Sequence, residues 1–248
     1  MTFFDRFEAV YVISLSDRAD RRKALNRELK KSFDGASIDS IGEVFDACRP
    51  EDPAGFPTTS IRGCFESHLN VLRSAQDRGV DSVLILEDDV AFPAAVVNQL
   101  EESARQLDTI EWHSATFGCA DSWGHLAKHV GDRTDYHWTR FSGEVQQAHC
   151  VAFTREGIDR TVVHLEKLFN GTPGDRLRGP MHVDGAYNVQ TWSDPTFVRM
   201  MLTPPLIPQR VSRSDISPTR LDGVGTLRPV ITAVRDLREQ LRHRRQGA

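Results

Sequence analysis

The sequence predicts an α/β domain organised around a mostly parallel central sheet, with helices on its faces. Three observations carry that prediction. Strand-like and helix-like segments alternate along the chain, the pattern of strands joined through helices that cross back over a sheet. The first strand-like run, Ala9 to Leu15, passes directly through Ser16-Asp17 into a helical stretch. Val83-Leu84-Ile85-Leu86 is short and continuously apolar, as a strand buried on both faces must be. With 248 residues the chain can build one sizeable domain with its own core.

Taken in order, residues 9–15 form the first strand, and the helix after it ends near Phe33 with Leu25, Leu29 and Phe33 on one face. Residues 41–46 read as a second short strand, and Pro50, Pro53, Gly55 and Pro57 mark a loop. Thr59 or Ser60 then caps a helix of about five turns, closed by Gly79, with Cys64, His68, Val71, Leu72 and Ala75 spaced for burial. The apolar strand follows, then a helix over 94–107 and a strand over 112–118. Residues 119–144 are aromatic, His-rich and irregular, more like a lid or acceptor loop than core. A strand resumes from Glu144 to Thr154. An amphipathic helix over 155–169, a turn-rich loop from Gly171 to Pro180 and a short helix over 184–192 complete the pattern. The last twenty residues read as a helix striped by Val230, Val234, Leu237 and Leu241. The expected organisation is one domain over 1–226 followed by a basic amphipathic helix or tail over 227–248.

Bulk composition narrows the class. A hydrophobic share of 39% and a charged share of 27% belong to a soluble globular protein. The net charge of −4 gives no global pull towards nucleic acid. Charge is uneven, however: residues 227–248 carry six arginines against Asp236 and Glu239, so the rest is clearly acidic. Such a helix either touches an anionic membrane surface or docks, solvated, on the domain. Cys48, Cys64, Cys119 and Cys150 show no metal-site spacing and read as buried free thiols. No apolar leader or membrane-spanning run stands out, which leads to an expected cytoplasmic location, with the inner face of the membrane as a further option.

The chemistry concentrates at Glu87, Asp88 and Asp89, which follow the apolar strand without a break. Carboxylates at the mouth of a core strand are costly without a counter-charge, and a divalent cation with a diphosphate supplies one. Ligands of open α/β sheets bind outside the carboxyl ends of strands, where these acids lie. Strand alternation sets Glu87 and Asp89 on one face and Asp88 on the other. The plain alternative is an acidic loop capping the helix entered through Pro93. His68, among apolar neighbours, reads as a hydrogen-bonded core histidine rather than a ligand. Among the tryptophans, Trp123 and Trp138 suit sugar stacking best, whereas Trp192 reads as core.

Several blocks in one order carry a resemblance. Ile13-Ser14-Leu15-Ser16-Asp17-Arg18-Ala19-Asp20-Arg21-Arg22 is a strand exit followed by spaced arginines. Gly63-Cys64-Phe65-Glu66-Ser67-His68-Leu69-Asn70-Val71-Leu72 and Leu86-Glu87-Asp88-Asp89-Val90 follow, with Val183-Asp184 and Ser214-Asp215-Ile216 later. Together they resemble glycosyltransferase family 25, which includes bacterial lipooligosaccharide galactosyltransferases and collagen galactosyltransferases. Two departures stand out: Ser14 replaces the family's asparagine, and His149-Cys150 replaces small or aromatic residues before a later strand.

The resemblance implies a GT-A-like fold, a nucleotide-sugar donor linked to UDP, and inverting transfer of a sugar such as galactose. The acceptor would be a glycan, a glycolipid (as in lipopolysaccharide biosynthesis) or another hydroxyl. By analogy with the Asp-x-Asp of GT-A folds, Asp89, with Glu87, would bind Mn2+ or Mg2+. Glu87 would also face the ribose or the metal's water shell, and Asp88 would contact sugar or nucleotide. Arg18, Arg21 and Arg22 would bring charge to the diphosphate, or else lie on a solvated helix face. Ser14 and Leu15 would hold the base through their backbone. Asp184 would be the general base on the acceptor hydroxyl, or else a plain helix cap. Two other functions remain open from the residues: a metal-dependent phosphohydrolase, which also uses strand-end carboxylates, and a non-catalytic nucleotide-sugar-binding module.

Overall fold

A computed structural model describes residues 2–120 and 135–210 of the protein. Trp123, the Ser214-Asp215-Ile216 block and the basic terminal segment lie outside the described residues. The strands are β1 (Ala9–Ser14), β2 (Glu43–Asp46), β3 (Ser82–Glu87), β4 (Ser114–Ala120), β5 (His137–Arg140), β6 (Gln146–Thr154) and β7 (Arg199–Thr203). They form one sheet in the order β2-β1-β3-β6-β4-β7-β5. β1 runs parallel to β2 and β3, and β4 parallel to β7. β6 is antiparallel to both neighbours, and β5 is antiparallel to β7. Five strands therefore point one way and two are reversed, so the α/β sheet is mixed, with three parallel and three antiparallel neighbouring pairs.

The helices are α1 (Ala19–Ser32), α2 (Ile38–Ile41), α3 (Thr59–Arg78), α4 (Val97–Gln106), α5 (Arg155–Phe169) and α6 (Val183–Ser193). Strand alternation divides the core into two layers. Val10 and Val12 of β1 and Leu84 and Leu86 of β3 pack with Leu25 and Leu29 of α1 and Leu100 of α4. Tyr11, Ile13, Val83 and Ile85 pack on the other face with Phe65, Leu69 and Leu72 of α3, Ile158 and Leu165 of α5, and Ala186 of α6. Each fully buried Leu, Ile or Phe contributes about 1.5–3 kcal/mol. Both β1 and β3 end at the same edge, with Ile13 opposite Glu87 and Ser14 opposite Asp46. The layer rule therefore predicts that Ser14 leaves the sheet on the α1 side and Glu87 on the α3 side.

Several local expectations are corrected. Thr58, not Thr59 or Ser60, caps α3: its side chain accepts from the Ile61 amide, and Gly79 closes the helix in a left-handed conformation. Trp192 is 46% exposed rather than core, because it sits on the outer side of α6, where its Nε1 donates to the Ser142 carbonyl. Trp138 lies in a regular strand, not an irregular loop. Its ring meets Phe117 edge-on at 5.0 Å and its Nε1 donates to the Ser103 carbonyl, so it is anchored against the core. All four cysteines are free thiols as expected, though only Cys150 is fully buried. Among the described residues, no helix is long and apolar enough to cross a membrane.

Candidate active site

The site grows from the shared edge of β1 and β3. The strand ends at Glu87 and the chain turns at Asp88 and Asp89, with the Asp88 amide donating to the Ile13 carbonyl at 3.1 Å. The turn overturns the expected split of the acids between two faces. Asp88 and Asp89 come together on the α1 side, because a turn no longer obeys the two-residue alternation of a strand. Arg21 Nη1 donates to Asp88 Oδ1 at 2.8 Å and to Asp89 Oδ2 at 3.1 Å. Ser14 Oγ donates to Asp88 Oδ2 at 2.8 Å, and Gln209 Nε2 to Asp89 Oδ1 at 3.0 Å. Both aspartates are nearly out of solvent, at 5% and 8% exposure. Two buried carboxylates thus share one guanidinium.

Glu87 leaves on the opposite face, as the layers predict, and meets α3. His68 Nε2 lies 3.3 Å from its Oε1, and His68 Nδ1 lies 3.1 Å from the Tyr187 hydroxyl on α6. His68 is thus the buried, hydrogen-bonded histidine expected, but its partner is one of the three acids. Cys64, one turn earlier on α3, lies beside both: one ligand atom from each of Cys64, His68 and Glu87 falls within 4.8 Å of the others.

The electrostatics follow from this crowding. Burial, then the charge of Glu87, pushes Asp89 up to about 7, although Arg21 and Gln209 pull the other way. Burial also opposes the charge of Glu87. There, however, the His68 hydrogen bond and the fields of His68, His149 and Arg21 prevail and hold the carboxyl below its ordinary range. Burial, with the charges of Glu87, Asp184 and Asp89, drives the Cys64 thiol well above its usual value. All three acids therefore act on one thiol, which brings Asp184 into the same neighbourhood as the strand-end acids.

Asp184 sits in the first turn of α6. Its Oδ1 accepts from its neighbour Gly185's amide at 2.7 Å and its Oδ2 from the Gln147 amide of β6 at 2.8 Å. Gln147 has a φ of 71°, an uncommon left-handed conformation for a residue with a side chain. The strain falls on the residue whose amide fixes this carboxylate, a placement typical of functional sites. Asp184 also lines a cleft with Thr116, Gln147, Tyr187, Gln190 and Arg199.

The remaining candidates behave differently. Arg22 wraps the turn after β1, donating to Ser14 Oγ at 3.1 Å, to the Leu15 carbonyl at 2.6 Å and to the Ser16 carbonyl at 2.8 Å. The Ser14 carbonyl accepts from the Ala47 amide, and that of Leu15 also accepts from the Arg18 amide. These groups shape the turn. Arg18 Nε donates to Asp20 Oδ1 at 3.4 Å. Sequence reasoning did not single out Gln209, Tyr187 or Gln147, whose roles depend on contacts between distant segments. Cys64 and His68 carried one legible signal, a four-residue spacing that places them on one helix face.

The chain is 26% identical over 123 residues to procollagen galactosyltransferase 1 of Danio rerio, a stretch covering 43% of this chain and 20% of that protein. It is 27% identical over 117 residues to the probable inactive glycosyltransferase 25 family member 3 of Bos taurus, covering 41% and 20% respectively. The matched stretches thus span about a fifth of these relatives' length. A glycosyltransferase involved in glycosylation of the major capsid of PBCV-1 superimposes with a TM-score of 0.47 at 8% identity, over 82% of this chain and 93% of that one. The family described as glycosyltransferase family 25 (LPS biosynthesis protein) matches residues 7–130, half of the chain and every candidate acid except Asp184, and to that family this chain belongs.

Proposed function

We propose that the protein is an inverting glycosyltransferase that moves a sugar from a nucleoside diphosphate donor, UDP-linked, to a hydroxyl of a glycan or glycolipid acceptor. One observation carries the reading: two buried aspartates at the end of a core strand share a single guanidinium, with a third carboxylate beside them. That excess of negative charge is a demand for a cation, and hard oxygen donors suit Mn2+ or Mg2+. Asp89 and Asp88, with Glu87, would hold it, and the bound ion would supply Lewis-acid stabilisation to the departing diphosphate. Arg21 offsets part of the pair's charge in the cation-free protein and would bring positive charge towards the diphosphate. Arg22 keeps the turn after β1 in the shape that presents Ser14 and Leu15 at the donor edge.

Asp184 is the general base. Its two oxygens each accept one backbone amide, which fixes the carboxylate while leaving lone pairs for a proton from the acceptor hydroxyl. The experiment offers a panel of nucleoside diphosphate sugars to the full chain, with and without manganese, and follows donor turnover. Cation-dependent donor hydrolysis or transfer supports the reading. Phosphate release from unrelated esters would move the protein to hydrolase chemistry, and donor binding without turnover would make it a binding module.

A further inference from the structure

Glu87 also belongs to a second cluster, whose Cys64 and His68 the donor reading leaves unused. Cys64 and His68 stand one turn apart on α3, and Glu87 reaches them from the end of β3, with all three donor atoms within 4.8 Å of one another. The set offers one sulfur, one nitrogen and one oxygen. That combination suits borderline cations such as Zn2+, whereas the all-oxygen pair Asp88 and Asp89 suits harder ones. Three protein ligands with an open fourth position is the usual count for a zinc ion that keeps a solvent molecule. The cluster also has an orienting partner. Tyr187 Oη holds His68 Nδ1 at 3.1 Å, the outer contact that metal-binding histidines require. Access exists too, since Cys64 is half-buried and the Glu87 side chain is 20% exposed.

We propose that Cys64, His68 and Glu87 form a zinc-type metal site beside the cation position at Asp88 and Asp89, with Glu87 common to the two. Without metal, an ionised Glu87 only accepts, so His68 Nε2 carries the hydrogen between them and Nδ1 accepts from Tyr187. On binding, the ion takes the place of that hydrogen. The proton moves to Nδ1, which then donates to Tyr187 Oη, and the Cys64 thiol releases its proton to solvent as the sulfur–metal bond forms. Because Glu87 serves both clusters, zinc here competes with the hard cation of the donor site. That consequence rests on the function proposed above, whereas binding itself does not.

The test titrates Co2+, a spectroscopic stand-in for Zn2+, into the full-length chain and reads the near-ultraviolet thiolate-to-cobalt band. One equivalent should develop the band, and Zn2+ should remove it. Cys64→Ser should abolish it and weaken zinc binding by more than the roughly 10–100-fold typical of losing an outer contact. Asp89→Asn should retain it. Absence of the band, or its survival in Cys64→Ser, overturns the assignment. If Cys64→Ser fails to fold, zinc-edge absorption on the wild-type chain decides: one sulfur at about 2.3 Å supports the site, and a shell of only oxygen and nitrogen overturns it. A failed sugar-transfer assay would leave these readouts untouched, and the reverse also holds.

Discussion

At the scale of single residues, Asp89 shows what the crowding of acids costs. Its ordinary value of 3.8 is pushed up to about 7 by burial and by Glu87. A carboxyl raised on folding stabilises the fold fully only below its unfolded value, and that contribution is lost as pH rises through the folded one. The contribution of Asp89 to stability should therefore fall between about pH 4 and 7, since the folded state holds a proton there that the unfolded state has released. Asp89→Asn removes the titration while keeping one oxygen to accept from Arg21 or Gln209. With a chelator present, the variant should match the wild type near pH 4 in urea midpoint and exceed it near pH 8. A wild type that gains on the variant as pH rises would contradict this. Asp184 makes a different prediction because its neighbours are backbone amides. Asp184→Asn should lower turnover by about a hundredfold or more with donor affinity kept, the range for losing a general base. Equal loss of donor binding in an equilibrium titration would give it a structural role instead.

At the scale of elements, α3 is the clearest case of local sequence deciding structure. Thr58 caps it, an apolar stripe from Ile61 to Ala75 buries it, and Gly79 ends it at a φ of 65°. Thr58→Ala leaves the Ile61 amide without its side-chain acceptor and should cost about 1 kcal/mol in denaturant unfolding, the usual loss for a cap. The same helix carries Cys64 and His68, so the cap steadies one wall of the site. Elements with such local grammar were legible in the sequence; α5 runs over 155–169 as read. β5 and β7 were not. β5, His-Trp-Thr-Arg, is a polar strand that pairs, among the described residues, with β7 alone, and β7 opens on the buried Arg199. Arg199 is tolerated there because its guanidinium reaches the Phe141 and Gly143 carbonyls and Asn188 Oδ1. Burial still pulls it down to about 10. None of these partners is near it in sequence, so no periodicity could announce the strand.

At the scale of the molecule, the site is closed by chain that returns from the far side of the sheet. After β7, the Leu206 and Ile207 amides donate to the Phe117 carbonyl, and the Ile207 carbonyl accepts from His149 Nε2 at 2.8 Å. Farther along, the Ala91 amide donates to the Pro208 carbonyl, Gln209 reaches Asp89 and the Arg210 amide donates to the Asp89 carbonyl at 2.7 Å. Sequence exposed the acids, because three carboxylates after an apolar run are costly whatever the fold. It could not expose the strap, whose side-chain contacts join residues 58 and 120 positions apart. Gly118 is a point of close approach between strap and sheet. A Cβ at this position would stand 1.9 Å from the Ile207 carbonyl oxygen and 2.7 Å from His149 Nε2. Backbone cannot yield as a flexible side-chain tip can, so the strap or β4 must move. Gly118→Ala should therefore destabilise the protein by about 1–3 kcal/mol, the usual cost of overpacking, and it should also weaken cation-dependent nucleotide binding, because displacement of Ile207 carries Gln209 away from Asp89. Gln209→Ala separates the two effects: it removes the Asp89 contact without the clash, so it should weaken binding with little change in the unfolding midpoint. If Gly118→Ala loses stability while its folded fraction binds nucleotide and cation as tightly as wild type, the strap plays no part in setting Asp89.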